Sequence, residues 1–206
     1  MFYSILDKKR IDSLPSLKSF KDDFYLAGGT ALALQLGHRD SIDFDFFTGE
    51  DIDTESLFDG IKKVFKDRDI KKVQEEKNTL TVVVDDNIKI SFFTYKYPLL
   101  DRLVIEDNLR LASIQDIACM KLSAIVSRST IKDYVDLYFV LQKIPLGELL
   151  NSVVRKFPEL DVNLVLKSLV YFDDLVDEDI IFKNNNTVTL ENLKKFFREV
   201  VKKYNG

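Results

Sequence analysis

The chain has 206 residues, 30 Lys+Arg against 34 Asp+Glu and a formal charge of −4; its 46% hydrophobic and 12% aromatic content is enough to build a core and excludes wholesale disorder. One His (His38) and one Cys (Cys119) exclude a Cys/His zinc site and an intrachain disulfide framework, and leave no spare base for a serine-protease-type triad. Any chemistry must rest on carboxylates, lysines, hydroxyls and backbone. No apolar run approaches the ~20 residues of a membrane span, and the N-terminal MFYSILDKKR lacks the apolar segment of a signal peptide. No membrane association is expected, and the expected location is cytoplasmic. The length allows one domain or two small ones.

In chain order, Phe24–Ala27 reads as a short strand running into Gly28-Gly29, and Thr30–Leu36 as a helix of strong helix formers ended by Gly37. Ile42–Phe47 (IDFDFF) alternates apolar and acidic residues, the period-2 mark of a strand. Apolar residues at Leu57, Ile61, Val64 and Phe65 predict an amphipathic helix over Thr54–Phe65. Leu80–Val84 and Ile88–Thr94 read as strands joined by the turn residues Asp85-Asp86-Asn87. The order β-α-β-α-β-β implies a small mixed sheet covered by helices.

After about residue 105 the pattern is helical. Ser113 with Asp116 resembles a capping box opening a helix to Val126, and Thr130 is a candidate cap for a helix to Gln142. Leu146–Lys156, Val162–Tyr171 and Leu190–Tyr204 follow, with Asp161 and Thr189 as N-caps of the last two. The expected architecture is α+β: a mixed-sheet head over residues 1–105 and an α-helical domain over 106–206 that completes a cleft.

The chemistry concentrates in YLAGGTALALQLGHRDSIDFDFF, Tyr25 to Phe47. A strand ending in two glycines and a hydroxyl at a helix start can hold phosphate, because glycine permits close approach and the helix end offers free N–H groups. Alone, such a turn is more often just a tight connection. Asp43 and Asp45, two apart on a strand, present both carboxylates to one face while Ile42, Phe44 and Phe46 take the other. Adjacent carboxylates repel unless a cation sits between them, and hard oxygen donors suit Mg²⁺. The plain alternative is an edge strand with a wet polar face.

Gly-Gly-Thr, a short helix and Asp-x-Asp on the next strand together resemble the nucleotidyltransferase superfamily signature. The longer string GGTALAL-LGHR-S-DFDFF, with DIACMKLSAIVSRSTIKDYVDLYFVL (Asp116–Leu141), resembles more narrowly the AbiEii-type toxin nucleotidyltransferases of type IV toxin–antitoxin systems. The resemblance spans Phe24 to Leu141. It implies Mg²⁺-dependent transfer of a nucleoside monophosphate from NTP to an acceptor, with tRNA or other RNA favoured, toxicity as the outcome and a cognate antitoxin as a possible partner. Gly28, Gly29 and Thr30 would hold the triphosphate, Asp43 and Asp45 would bind Mg²⁺, and Lys121 would neutralise phosphate charge. Asp133 and Asp136 match the last motif, in which a carboxylate orients the lysine or an acceptor group.

Each of these residues also has a plain reading. Lys121 can be a solvated helix residue, and Asp133 can complement the helix dipole in a first turn. Asp136 within YVDLYF needs a cationic partner, Lys121 or Arg128. Arg39 is a candidate phosphate contact or a surface arginine, Ser41 a cap or ligand contact, and His38 reads as structural rather than catalytic. The superfamily's third carboxylate, on the strand NIKISFFTYKYP, is replaced by Ser91, which has no useful basicity at neutral pH. One metal then suffices with Asp136 or water taking the proton, or Asp85 or Asp86 reaches in, or the chain is a slow or inactive nucleotide-binding module. A small-molecule nucleotidyltransferase is a further alternative.

Basic runs at Lys62–Lys72 and Lys194–Lys203 read as solvated helix faces or as an RNA track, with the acidic run Asp173–Asp179 excluded from any such track. Aromatic residues are assigned to the core, not to a stacking platform.

Overall fold

A computed structural model of the chain describes residues 1–176 and 178–205. Seven strands form one mixed sheet: β1 (Tyr25–Ala27), β2 (Phe44–Thr48), β3 (Ile70–Glu76), β4 (Thr79–Val84), β5 (Ile88–Thr94), β6 (Val104–Ile105) and β7 (Arg110–Leu111), in the order β3-β4-β5-β2-β1-β7-β6. β2 runs antiparallel to β1 and parallel to β5, and β1 pairs in parallel with β7. The helices are α1 (Lys8–Leu17), α2 (Gly28–Leu36), α3 (Thr54–Val64), α4 (Ile114–Ser127), α5 (Ile131–Leu141), α6 (Leu146–Lys156), α7 (Val162–Val170) and α8 (Leu190–Asn205). The mixed α/β architecture agrees with the sequence pattern.

Alternation along β2 and β5 gives the sheet two unlike faces. Phe44, Phe46, Ile90 and Phe92 are buried, and Phe46 stacks on Phe92 at 5.3 Å, with Phe20 and Phe24 set edge-on against Phe92 at 5.2 and 5.0 Å. The other face of the same strands carries Asp45 and Phe47 opposite Ser91 and Phe93 and opens into a cleft beneath the helical half. α2 packs on α4 and α5, which fixes the start of α2 against the residues those helices contribute.

Several elements differ from the sequence expectation. The strand carrying the acidic pair begins at Phe44, two residues later than its alternation implies, so Asp43 sits just before it and Ile42 is 52% exposed instead of buried. The segment is held off the sheet by the Thr30 hydroxyl, bonded to the Asp43 carbonyl, and by Arg10, whose Nε donates to the Ile42 carbonyl at 2.6 Å. α1 has no counterpart in the reading above because Pro15 interrupts its pattern; its buried Arg10 also clamps the β4–β5 turn through Asn87. β3 is an exposed edge strand with no alternation to betray it. Asp85 and Asp86 both take positive φ, as a tight hairpin turn demands. They pair with Arg68 and Lys71 and do not line the cleft, so neither supplies the missing carboxylate.

In the helical half, Ser113 accepts from the Asp116 N–H at 3.0 Å, Asp161 from Asn163 at 2.8 Å and Thr189 from Asn192 at 3.2 Å, as their cap positions imply. Thr130 does not cap through its side chain; its hydroxyl donates to Asp133 instead. Leu193 and Phe197 of α8 are wholly buried.

A buried ion pair pins the linker between sheet and helices. Lys156 Nζ lies 2.8 Å from Asp116 Oδ1 and 2.6 Å from the Pro98 carbonyl, and Asp116 accepts from the Leu100 and Asp101 N–H groups. Both side chains are 0% exposed. Burial alone would raise the Asp116 carboxyl, but Lys156 and the backbone donors hold it below the ordinary range. Asp116→Ala strands the Lys156 ammonium and is expected to cost about 3–5 kcal/mol, measured by urea unfolding.

Candidate active site

Register places the acidic pair at the turn that opens α2. Ala27, the last residue of β1, pairs with Asp45, so the chain passes straight from Asp45's neighbour into Gly28. Gly28 has φ +70°, and a Cβ there would lie 3.2 Å from Asp45 Oδ2; a Cβ on Gly29 would lie 2.8 Å from Arg39 Nη2 and 3.2 Å from Ser41 Oγ. Both glycines are therefore required, one by conformation and approach, the other by approach alone. No side chain caps α2 at Ala27, which leaves the N–H groups of its first turn available beside the carboxylates.

The open sheet face is ordered in rows. Ser91 lies opposite Asp45 on β5 and Thr81 opposite Ser91 on β4, so Ser91 does occupy the position next to the acidic pair. It is 1% exposed, and its hydroxyl beside Asp45 favours the ionised carboxylate. Lys89 Nζ lies 3.8 Å from Asp43, whose carboxylate is half exposed. Burial first, then the neighbouring Asp43, raise the Asp45 carboxyl above its ordinary range, against smaller opposing effects of Lys89, Ser91 and Lys121. A pair of oxygen donors with one carboxyl already destabilised as an anion is suited to a divalent cation, which would relieve that repulsion. Among the described residues no group of three or more His, Cys, Asp or Glu forms a metal cage; hydrated Mg²⁺ needs only one or two carboxylates when substrate phosphates complete its shell.

Opposite the sheet, α4 and α5 deliver a closed charge network. Lys121 Nζ lies 2.6 Å from Asp133 Oδ1 and 2.8 Å from Asp136 Oδ2. Arg39 grips Asp136 through Nε and Nη2 at 2.7 and 2.8 Å, and His38 Nε2 lies 2.7 Å from the same carboxylate. Arg128 and Thr130 complete Asp133. Burial opposes charge at Asp136, but Lys121, Arg39 and His38 hold its carboxyl well below the ordinary range; Lys121 and Arg39 are correspondingly raised by their carboxylate partners.

The candidate residues sort accordingly. Gly28, Gly29, Thr30, Arg39, Ser41, Asp43, Asp45, Lys121 and Asp133 line one cavity of about 890 Å³, a size proper to ligand sites. Asp136 does not line it and is 0% exposed; enclosed by cations, it is placed to orient Lys121 and Arg39, not to take a proton from an acceptor. Its partners are Lys121 and the unforeseen Arg39, whereas Arg128 goes to Asp133. Arg39 is neither a surface residue nor free: its remaining Nη1 donates to the Asp40 carbonyl. Thr30 is 2% exposed and its hydroxyl is taken up by Ser41 and the Asp43 carbonyl. His38 is structural. Cys119 is buried, its thiol pushed up to about 12, and is inert.

A wall that sequence reasoning missed comes from the acidic run. The Val176 N–H donates to the Ser129 carbonyl and the Ile131 N–H to the Val176 carbonyl, while the Asp40 and Lys183 N–H groups donate to the carbonyls of Ile181 and His38. This strap brings Glu178, Asp179 and Ile181 to the cavity rim, with Glu178 paired to Lys132 at 2.5 Å; Asp177 of the same run lies outside the described residues. No local signal marks a segment more than 130 residues from the carboxylates it approaches. The basic run of α3 and β3 is largely neutralised by Asp59, Asp69, Asp85, Asp86 and Glu75, as solvated faces are.

Comparison with known proteins agrees with the geometry. The family model described as "Nucleotidyl transferase AbiEii toxin, Type IV TA system" matches residues 14–204. The chain is 38% identical over 207 residues to the protein aq_aa25 of Aquifex aeolicus (strain VF5), covering 97% of each. Its fold is similar to that of MenT4, a nucleotidyltransferase toxin of Mycobacterium tuberculosis H37Rv (TM-score 0.63, 15% identity, 94% of this chain and 80% of that one). It is similar also to JHP933 from Helicobacter pylori (TM-score 0.56, 19% identity, 97% and 95%). With a glycine turn, an acidic pair and a buried lysine gathered in one cavity, the chain belongs to the AbiEii family of nucleotidyltransferase toxins of type IV toxin–antitoxin systems.

Proposed function

We propose that this cavity transfers a nucleoside monophosphate from NTP to an acceptor hydroxyl, with Mg²⁺ as the metal and RNA, tRNA in particular, as the acceptor. The observation that carries this reading is the meeting of the Asp43–Asp45 pair, the uncapped start of α2 and the permanently charged Lys121 in one cavity. Gly28 and Gly29 let the triphosphate reach the N–H groups of the α2 first turn, and the Thr30 hydroxyl holds the loop that carries Asp43. Mg²⁺ on Asp43 and Asp45 would neutralise phosphate charge and align it for displacement of pyrophosphate. Lys121 has three donors; two go to Asp133 and Asp136, and the third is directed to phosphate. Asp133 and Asp136, the latter itself gripped by Arg39, keep that ammonium in place. Residues 1–105 then supply the Asp43–Asp45 pair and 106–206 the lysine of a two-part cleft.

Ser91 bears on how the acceptor is deprotonated. A general base is worth about 10²–10⁴-fold, and a buried serine hydroxyl, which has no useful basicity at neutral pH, cannot serve as one. Ser91→Ala is therefore expected to lower turnover by less than about 10²-fold, read as kcat under saturating NTP. A larger loss would show that the hydroxyl takes part in the chemistry.

The acceptor class rests on family membership. A second reading, a small cationic acceptor, is favoured by Glu178 and Asp179 at the rim. Incubation with each of four labelled NTPs, Mg²⁺ and bulk RNA, with products sized on a gel, separates the two: RNA labelling supports the first, and labelling only of an added polyamine or aminoglycoside supports the second. Binding of NTP without turnover on any acceptor would instead mark an impaired binding module. A cognate antitoxin follows from the type IV family, and residence in the cytoplasm belongs to the same reading; among the described residues no helix is long and apolar enough to cross a membrane.

A further inference from the structure

One row beyond the carboxylates, the open sheet face turns aromatic. Asp45 and Ser91 are followed on that face by the paired Phe47 and Phe93, and Tyr95 comes next after Phe93. Phe47 lies 5.3 Å from Phe93 and 5.6 Å from Tyr95, ring centre to ring centre, so the three form one continuous patch. All three line the cavity and remain partly exposed, whereas Phe46 and Phe92, their neighbours on the other face, are 1% and 0% exposed. Core packing accounts for the second pair. Phe47 and Tyr95 are also packed in part against the core, with Tyr25 stacked on Phe47 at 6.0 Å, but all three rings keep exposed surface in a cavity whose adjoining row is Asp45, Ser91 and Thr81.

Two residues along a strand advance about 6.6–6.8 Å, comparable to the ribose that separates a nucleotide's phosphate from its base. A phosphate held beside Gly28 and Asp45 therefore leaves a base within reach of Phe47 and Phe93. Met120 and Ile117 of α4 line the same cavity and offer apolar surface from the helical side.

We propose that Phe47, Phe93 and Tyr95 form a stacking platform for a nucleobase beside the carboxylate pair. The proposal rests on the nucleotidyl-transfer reading and adds to it the ring-binding part of the cavity. Stacking discriminates little among bases, since every base has a π-face, so the platform contributes affinity and position more than base identity. The base belongs either to the NTP or to the acceptor strand, and one probe distinguishes them.

The chain has no Trp, so the fluorescence of 2-aminopurine, which stacking quenches, can be followed without tryptophan background. With full-length protein and Mg²⁺, 2-aminopurine riboside triphosphate is expected to be quenched on binding. Phe93→Leu, which keeps apolar bulk but removes the flat face, is expected to lose the quench and weaken binding by about 5-fold or more, while Phe93→Tyr retains both. Inorganic tripolyphosphate should bind wild type and Phe93→Leu equally. Quenching of a 2-aminopurine-bearing RNA oligonucleotide alone assigns the platform to the acceptor and still supports it. Absence of quenching with both probes, with tripolyphosphate still bound, overturns the platform and leaves the transfer reading intact. Failure of wild type to bind either NTP or tripolyphosphate overturns the transfer reading itself. Thermal melts check each variant, and if Phe93→Leu does not fold, Phe47→Leu carries the same comparison.

Discussion

Asp45→Asn is expected to abolish transfer and at the same time to raise the melting temperature of the metal-free protein. The loss of activity is expected on the order of 10³-fold, since a bound metal supplies several kcal/mol of transition-state charge stabilisation at 1.4 kcal/mol per tenfold. Labelling of RNA by radiolabelled NTP measures it, and a mutant as active as wild type sinks the assignment. The gain in stability follows from the sign of the Asp45 shift. Burial and Asp43 raise its folded-state carboxyl, so above that range the ionised side chain opposes folding, and stability is recovered as pH falls through it. An uncharged asparagine removes the penalty at neutral pH and with it this part of the pH dependence. Added Mg²⁺ should stabilise wild type and have little effect on the mutant. Melts with and without Mg²⁺ at neutral and mildly acid pH test all three statements.

Asp136→Ala is expected to act in the opposite sense. It leaves Arg39 and part of the Lys121 charge buried without a counter-ion, a change that costs about 3–5 kcal/mol. For a chain of this size that corresponds to roughly 6–20 °C in Tm. Asp136 and Asp133 have folded-state carboxyls held low by their cationic partners. Their contribution is therefore complete above the ordinary carboxylate range, near pH 4, and is lost as pH falls through the lower folded values. Wild type should lose stability at acid pH more steeply than Asp136→Ala. Activity should fall as well, because Arg39 and Lys121 lose the group that orients them, although Asp136 itself lies outside the cavity. A variant that keeps wild-type stability would show that the network does not tie the helices to Arg39.

The two mutations separate the kinds of carboxylate this fold contains. One is placed where its charge is unfavourable until a ligand arrives; the other is enclosed by donors that make its charge favourable at all times. In sequence both are simply an Asp flanked by apolar residues, Asp45 in FDF and Asp136 in VDL. Spacing assigned the first to a strand face and the second to a helix, but not the partners that set their opposite shifts.

The chemical motif was the most legible part of the chain because its parts are local. Gly28, Gly29, Asp43 and Asp45 lie within 18 residues, and period-2 geometry alone puts Asp45 and Phe47 on one face and Phe44 and Phe46 on the other. Capping chemistry at Ser113, Asp161 and Thr189 was equally local. The elements that escaped were those whose stability comes from elsewhere. β3 is exposed at the sheet edge and holds its place through pairing with β4, and α1 persists despite Pro15 because Arg10 anchors it to Ile42 and Asn87.

By itself, the sequence determined that a mixed sheet bears an acidic pair beside a glycine turn, because strand and turn preferences act between near neighbours. Only the tertiary structure decided what faces that pair. Arg39 is 97 residues from Asp136, and the Glu178 rim is further still from Asp45. Such pairings depend on how α4, α5 and the strap pack over the sheet, and a buried charge will accept any cation that packing brings within about 3 Å. The scarcity of His and Cys limited the chemistry to carboxylates, lysine, hydroxyls and backbone; the fold decided which carboxylates face the cavity and which are sealed inside it.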